Sequence, residues 1–317
     1  MLSNSVRKSL RSVAAIVCAG TLLAGATACG AGSSTSNAGG GKVALLVSTL
    51  NNPFFVDLRD GAKNEAKKLG VDLVVSDAQN DSATQQNQAQ NAQSQGVKAV
   101  IINPVDSDAA GPAVAPLLSA NLPVISVDRS VTGEKVTSHI ASDNVAGGAQ
   151  AADALAKAIG EKGKILILQG MPGAASTRDR GKGFKDEIKK FPGITVAAEQ
   201  TAKFDRSAAL DVTTNLMQSN SNVAGIYAEN DEMALGAVQA LGAKAGSDVK
   251  VVGFDGTADG IKMVKSGKMS GTIAQQPKEL GKRAVDAAAK LIKGGKVAST
   301  QPIAVKTVTK ENVADFK

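Results

Sequence analysis

The sequence predicts an α/β fold: parallel sheets covered by helices on both faces and divided between two domains. From Lys42 onward, short β-rich apolar runs alternate with Ala-, Lys- and Gln-rich stretches of helical spacing. The apolar runs are nearly continuous, as in strands buried on both sides. The length of 317 residues suits two domains of roughly 100–150 residues each.

A different composition precedes that alternation. Arg7, Lys8 and Arg11 come before an apolar run from about Val13 to Ala26, and small residues then lead to Cys29. This is the order of a secretory signal, so residues 1–28 are expected to be removed. Gly20, Thr21 and Gly25 leave the run too weakly hydrophobic for a permanent membrane span. Ala26-Thr27-Ala28-Cys29 resembles a bacterial lipoprotein box, which makes Cys29 the expected lipidation site. The competing reading is ordinary cleavage near Ala28 that leaves a free thiol. Residues 30–41, GAGSSTSNAGGG, carry no large apolar side chain and read as a flexible tether. An exported domain leashed to the outer face of the cytoplasmic membrane is the expectation.

The expected strands are Val43–Val47, Val71–Val75, Ala99–Ile102, Pro123–Val127, Lys164–Leu168, Val223–Ala228, Val249–Phe254 and Ser270–Ala274. The helices expected between them are Phe55–Leu69, Ala83–Gln95, Val145–Ile159, Ala174–Lys190, Ala208–Gln218 and Glu232–Leu241. Ser138–Asn144 is expected to be a crossover, because it follows the Asp128–Lys135 loop and a fresh helix begins after it. A late helix near Lys278–Lys293 and a strand near Ile303–Val308 can return to either sheet, which would make the domains discontinuous.

Composition narrows the function. His139 is the single histidine, which leaves no His-built metal site and makes a His-dependent triad a poor candidate. The two cysteines exclude a Cys-rich zinc site, and Cys18 falls in the expected signal. Arg7, Lys8 and Arg11 supply three units of the formal charge of +7. Beyond them only short basic pairs remain, such as Lys67-Lys68 and Lys189-Lys190. A nucleic-acid surface would need a basic stripe with interleaved aromatics, so no nucleic-acid partner is expected. No Gly-rich dinucleotide fingerprint follows the first strand. Gly39-Gly40-Gly41-Lys42 is not a P-loop, since Val43 stands where Ser or Thr is needed.

Ligands of open parallel sheets bind beyond the carboxyl ends of the strands. The residues there are Asn51-Asn52-Pro53-Phe54-Phe55, Asn103, Asp128-Arg129, Arg178-Asp179-Arg180, Glu229-Asn230-Asp231, Phe254-Asp255-Gly256 and Gln275. Asp, Asn, Gln and Arg supply planar donors and acceptors, and vicinal hydroxyls each need both. Phe supplies a flat face for the C–H side of a sugar ring. Phe54, Phe55, Phe204 and Phe254, four of the seven Phe, fall in or beside these loops. The set reads as a carbohydrate cleft between two domains. Each residue also has a plain structural role open to it. Phe54-Phe55 could pack inward, Asn230 and Asp255 could cap helices, and Asn103 could serve a turn before Pro104. Asp128-Arg129 could be a surface ion pair, Arg178 and Arg180 could be solvated, and His139 reads as structural. Joint placement at one end of two sheets favours the cleft.

Nine stretches carry a resemblance: VSTLNNPFF, INPVDSDA, VISVDR, SHIASDN, RDRGKGF, FDR, ENDEMALGA, VVGFDGT and TIAQQP. They resemble the ribose-binding members of the type I periplasmic sugar-binding family of bacterial ABC importers, in one register from about Lys42 to Val308. The resemblance implies two Rossmann-like lobes with parallel sheets, joined by three crossovers and closing on a ligand between them. It implies lobes of residues 42–142 with 275–303 and 143–274 with 304–317.

By the same resemblance, D-ribose would be held by Asn52, Phe54, Phe55, Asn103, Asp128, Arg129, Arg180, Phe204, Asn230, Phe254, Asp255 and Gln275. The implied partner is a membrane permease, with a chemoreceptor as a second candidate. A monomer without cofactor, metal or catalysis is implied as well. Ala26 in the lipoprotein box, Glu229 before Asn230 and the extension Glu311–Lys317 depart from the family pattern.

Other readings stay open at this point. The same contacts could hold allose, another pentose, an inositol or a furanosyl signalling molecule. Sugar-responsive repressors share the two-lobed architecture but need an N-terminal helix-turn-helix, where this chain has a signal and a tether. Asp128 and Asp255 could serve a sugar-cleaving enzyme as acid and base. Each, however, is flanked by groups better suited to holding a neutral polyol.

Overall fold

The computed structural model describes residues 41–316; the expected signal, Cys29 and the tether up to residue 40 lie outside the described residues. The first lobe is built from β1 (Lys42–Val47), α1 (Pro53–Leu69), β2 (Asp72–Asp77), α2 (Ser82–Ser94), β3 (Ala99–Ile102), α3 (Gly111–Ser119), β4 (Val124–Val127) and β5 (Ser138–Ser142). The second takes α4 (Asn144–Ala158), β6 (Gly163–Gln169), α5 (Ala175–Ile188), β7 (Ile194–Thr201), α6 (Arg206–Ser219), β8 (Val223–Ala228), α7 (Asp231–Leu241), β9 (Lys250–Asp255), α8 (Ala258–Lys265) and β10 (Gly271–Ala274). The chain then returns to the first lobe with α9 (Pro277–Ile292) and β11 (Thr300–Ile303), and ends in the second with β12 (Lys306–Thr309).

The two sheets repeat one design. Their orders are β11-β5-β4-β3-β1-β2 and β12-β10-β9-β8-β6-β7. Strand pairs are parallel, except that β12 runs antiparallel to β10. Side chains alternate across a strand. In β1, Val43, Leu45 and Val47 therefore face α1 and α9, while Ala44 and Leu46 face α2 and α3. In β6, Leu166 and Leu168 face the α6–α7 side, while Ile165 and Ile167 face α4 and α5. Burial on both faces is what made these strands read as continuous apolar runs. The chain passes between sheets at Asp143, at Gln275-Gln276 and at Ala304-Val305.

Several elements differ from the sequence expectation. Ser138–Ser142 is a strand, β5, held between β4 and β11, and the crossover is confined to the residues after it. β7 lies at a sheet edge and is half exposed, so its polar residues hide the strand pattern. α3 is absent from the sequence expectation and carries Gly111, Pro112 and Pro116, residue types that ordinarily break helices. Pro112 instead sits in the first turn, where its missing N–H costs nothing. The eight-residue α8, opened by the Thr257 cap, was too short to show a period. The single strand expected near Ile303–Val308 is two strands, one in each sheet.

Candidate ligand-binding site

The carboxyl ends of both sheets face one small chamber. Asn52, Phe54, Phe55, Asp128 and Arg129 line it from the first lobe. Ser176, Arg180, Phe204, Asn230 and Asp255 close it from the second lobe, Gln275 lines it from a crossover, and little free space is left between them.

Local backbone geometry aims these side chains. Asn52 and Asn230 are N-caps: their Oδ1 atoms accept from Phe54 N and Met233 N, each at 2.9 Å. This leaves each Nδ2 as a donor. Asp128 follows β4 with φ 66°, and Asp255 ends β9 with φ 125°. Lys203 and Phe204 are consecutive left-handed residues, with φ 55° and 61°. Non-glycine residues held in that region are strained, and such strain concentrates at ligand sites.

The Arg129 guanidinium lies between two rings, 5.3 Å from the Phe55 centroid and 5.5 Å from that of Phe204. Phe54 and Phe55 meet edge to face at 5.1 Å. Arg180 donates through Nε to Asn144 Oδ1 at 2.8 Å and through Nη1 to the Glu229 carbonyl at 2.7 Å.

Two carboxylates and two guanidiniums make the chamber close to neutral. Arg129 and Asp128 approach only to 3.7 Å, and Arg180 and Asp255 to 3.8 Å. These distances are longer than a charge-assisted hydrogen bond, so both pairs keep bonding capacity for a ligand. Asp128 Oδ1, Gln275 Oε1 and Arg129 Nε are buried and make no hydrogen bond among the described residues. Two free acceptors and a free donor complement a set of hydroxyls. Burial pushes the Asp128 carboxyl up, against the pull of Arg129 and Arg180, and pushes Asp255 well up. Burial also lowers the Arg129 guanidinium. The planar donors and acceptors that line the chamber, with three Phe rings beside them, suit the hydroxyls and C–H faces of a neutral polyol.

The structure brings ten of the twelve expected residues to the chamber wall. Asn103 and Phe254 stand behind it. Asn103 Nδ2 donates to Asp128 Oδ2 at 3.1 Å, and its Oδ1 accepts from Ser48 N at 3.1 Å. Phe254 is fully buried beneath the Arg180 guanidinium, 3.9 Å away. Sequence reasoning missed Ser176, one residue into α5, where Ala-Ala-Ser looks like any helix start. Arg178 points away and pairs with Asp108 of the first lobe.

That ion pair belongs to a clasp across the mouth of the cleft. Ser107 N donates to Gly173 O at 2.9 Å, and Ala175 N donates to Ser107 Oγ at 3.0 Å. A Cβ on Gly173 would overlap the Asp106 carboxylate. The lobes are thus closed on the chamber.

Residues 43–296 match the family described as periplasmic binding protein domain. The chain belongs to the periplasmic binding protein family. Ribose import binding protein RbsB of Escherichia coli K12 is 49% identical over 269 residues, covering 85% of this chain and 90% of that one. The RbsB of Bacillus subtilis 168 is 43% identical over 279 residues, covering 87% and 90%. A solved ABC transporter solute-binding protein from Actinobacillus succinogenes, with bound D-allose, superposes with a TM-score of 0.82. It is 35% identical and covers 87% of this chain and 100% of its own. This periplasmic binding protein is a sugar-binding component of ABC importers with an extracytoplasmic place of work, and its relatives are transport proteins rather than enzymes. No helix among the described residues is long and apolar enough to cross a membrane.

Proposed function

We propose that this periplasmic binding protein captures D-ribose by lobe closure and delivers it to an ABC permease. The observation that supports the reading best is the chamber itself. Side chains matching the ribose-binding pattern converge on one enclosed chamber, with unpaired donors and acceptors left over. The named relatives at 49% and 43% identity are ribose import proteins, which favours the same ligand here. The neighbour solved with D-allose makes a hexose the competing ligand.

In this account Phe54, Phe55 and Phe204 cover the apolar faces of the ring. Asp128, Arg129, Arg180, Asn52, Asn230, Asp255 and Gln275 hold its hydroxyls. Asn103 and Phe254 set Asp128 and Arg180 from behind. The lobes we propose comprise residues 42–142 with 275–303 and 143–274 with 304–317, and the three crossovers serve as hinges. Ligand contacts drawn from both lobes favour the closed state. Lipidation at Cys29 would hold the domain at the membrane surface, where the tether gives it reach.

A competition panel of D-ribose, D-allose and myo-inositol tests the ligand. The reading expects ribose to win, because a sugar with a missing or misdirected hydroxyl leaves buried polar groups unpaired. Preference for allose or inositol would overturn it. Intact-mass analysis of the protein purified from membranes tests lipidation, and a chain that retains an unmodified Cys29 thiol contradicts it.

A further inference from the structure

We infer that Glu229 is a positioning residue, a buried and neutral carboxylic acid that fixes Phe204 and Arg180 from behind the sugar chamber. The inference rests on the reading of that chamber as the sugar site.

The repeated sheet design shows what Glu229 does. Strand order reverses between β1 and β3 in one sheet and between β6 and β8 in the other. In the first lobe Asn103, just past β3, accepts at Oδ1 from the amide of Ser48, just past β1, at 3.1 Å. In the second lobe Glu229, just past β8, accepts at Oε2 from the amide of Gly170, just past β6, at 2.8 Å. The two hydrogen bonds are counterparts. A side-chain amide makes one and a carboxyl makes the other.

Two site residues depend on the second bond. Gly170 is the floor beneath Phe204, since a Cβ on it would overlap the ring. The Gly170 carbonyl accepts from Thr201 Oγ1 at 2.6 Å, so Glu229 and Thr201 clamp the floor at both ends. The Glu229 carbonyl in turn accepts from Arg180 Nη1 at 2.7 Å.

The surroundings keep the acid neutral. Glu229 is 0% exposed. Among the described residues its carboxyl has one amide donor, no ion pair, and an Oε1 without a hydrogen bond. Arg180 commits its Nε to Asn144 and its Nη1 to a carbonyl, not to this carboxyl. An ionised carboxylate so placed is costly. The Gly170 amide, then Arg180 and Lys185 on α5, favour its charge, while Glu199 on β7 opposes it and the Tyr227 hydroxyl on β8 lies in the same buried region. Burial outweighs the amide and the cations and raises the carboxyl to about 8. At neutral pH Glu229 does the work that an amide does in the other lobe. Above that pH it carries a buried charge with no ion-pair partner, and the cost of keeping that charge from water opens the floor under Phe204 and weakens sugar binding.

The test is calorimetric titration of D-ribose into the full chain and its Glu229→Gln variant, from about pH 6.5 to 9.5. Equal affinities are expected at pH 7. By pH 9 the wild type should be about tenfold weaker, one unit past the Glu229 midpoint, while Glu229→Gln stays flat. Glu229→Ala should bind weakly at every pH, and full affinity in it overturns the positioning role. Parallel pH profiles for wild type and Glu229→Gln, or lost binding in Glu229→Gln at pH 7, also overturn the inference.

Should neither protein bind ribose at pH 7, the ligand reading falls and ligand-free unfolding decides the inference. A folded value raised from 4.5 to about 8 makes wild-type stability decline as pH rises through that window and level off above it. A Tm advantage of Glu229→Gln that widens across the window supports the inference. A constant gap overturns it.

Discussion

Arg180 lies over the face of Phe254, its guanidinium carbon 3.9 Å from the ring centroid. The ring supports the cation from below, while Asn144 and the Glu229 carbonyl fix its nitrogens. Phe254→Leu keeps an apolar side chain but removes that face. A buried cation–π contact is worth roughly 0.5–2 kcal/mol, so ribose affinity should fall by about 2- to 30-fold. Titration calorimetry reads this directly. Unchanged affinity would mean that the ring only fills space.

Asn103 braces Asp128 in the same manner from the first lobe. Asn103→Ala strands the buried Ser48 amide and one Asp128 oxygen. Each unsatisfied buried group costs about 1–3 kcal/mol, so stability and affinity should both drop. Denaturant unfolding and ribose titration check the two effects. Asn103→Asp should be worse than Asn103→Ala at neutral pH, because it sets a second carboxylate beside Asp128. That deficit should shrink on acidification, as one of the pair takes up a proton.

The clasp predicts a conformational effect. Gly173→Ala forces a Cβ into the Asp106 carboxylate and opposes closure. Weaker ribose binding is expected, together with a larger radius by small-angle scattering at equal sugar concentration. Arg178→Ala removes an exposed ion pair to Asp108, worth about 0–1 kcal/mol, and a long 3.3 Å hydrogen bond from Nη1 to the Gly173 carbonyl. It should change affinity less than about fivefold. Equal effects of the two substitutions would contradict the assignment of the clasp to close approach at Gly173.

Matched glycines separate stability from binding. A Cβ on Gly61 of α1 would overlap the Lys278 carbonyl of α9, and one on Gly148 of α4 would overlap the Arg180 carbonyl of α5. Overpacking of this kind costs roughly 1–3 kcal/mol, so both alanine variants should unfold earlier. Only Gly148→Ala displaces a chamber residue. It should therefore weaken ribose binding at a temperature where both variants are folded, and Gly61→Ala should not.

These relationships differ in how far the sequence revealed them. β1, β3, β4, β6, β8 and β9 showed plainly because burial on both faces requires unbroken apolar runs. β7 did not, since an edge strand carrying Glu199 and Gln200 has only part of its surface to bury. The polar residues at strand ends were readable because their position follows from the sheet. Chain order could not show that Asn103 and Phe254 stand one layer back, because that depth depends on packing between neighbouring strands. The Ser107–Gly173 clasp and the Gly170–Glu229 brace join residues far apart in sequence, and small residues at close approach leave no periodic trace.

The central claim is that this closed, neutral chamber is a ribose site. Titration of D-ribose into the full chain, after unfolding and refolding to strip carried-over sugar, tests it most directly. The account predicts tight one-to-one binding that Asp128→Ala and Arg129→Ala abolish while both variants remain folded. No heat with ribose alongside tight binding of another sugar, or undiminished binding in either variant, would contradict it.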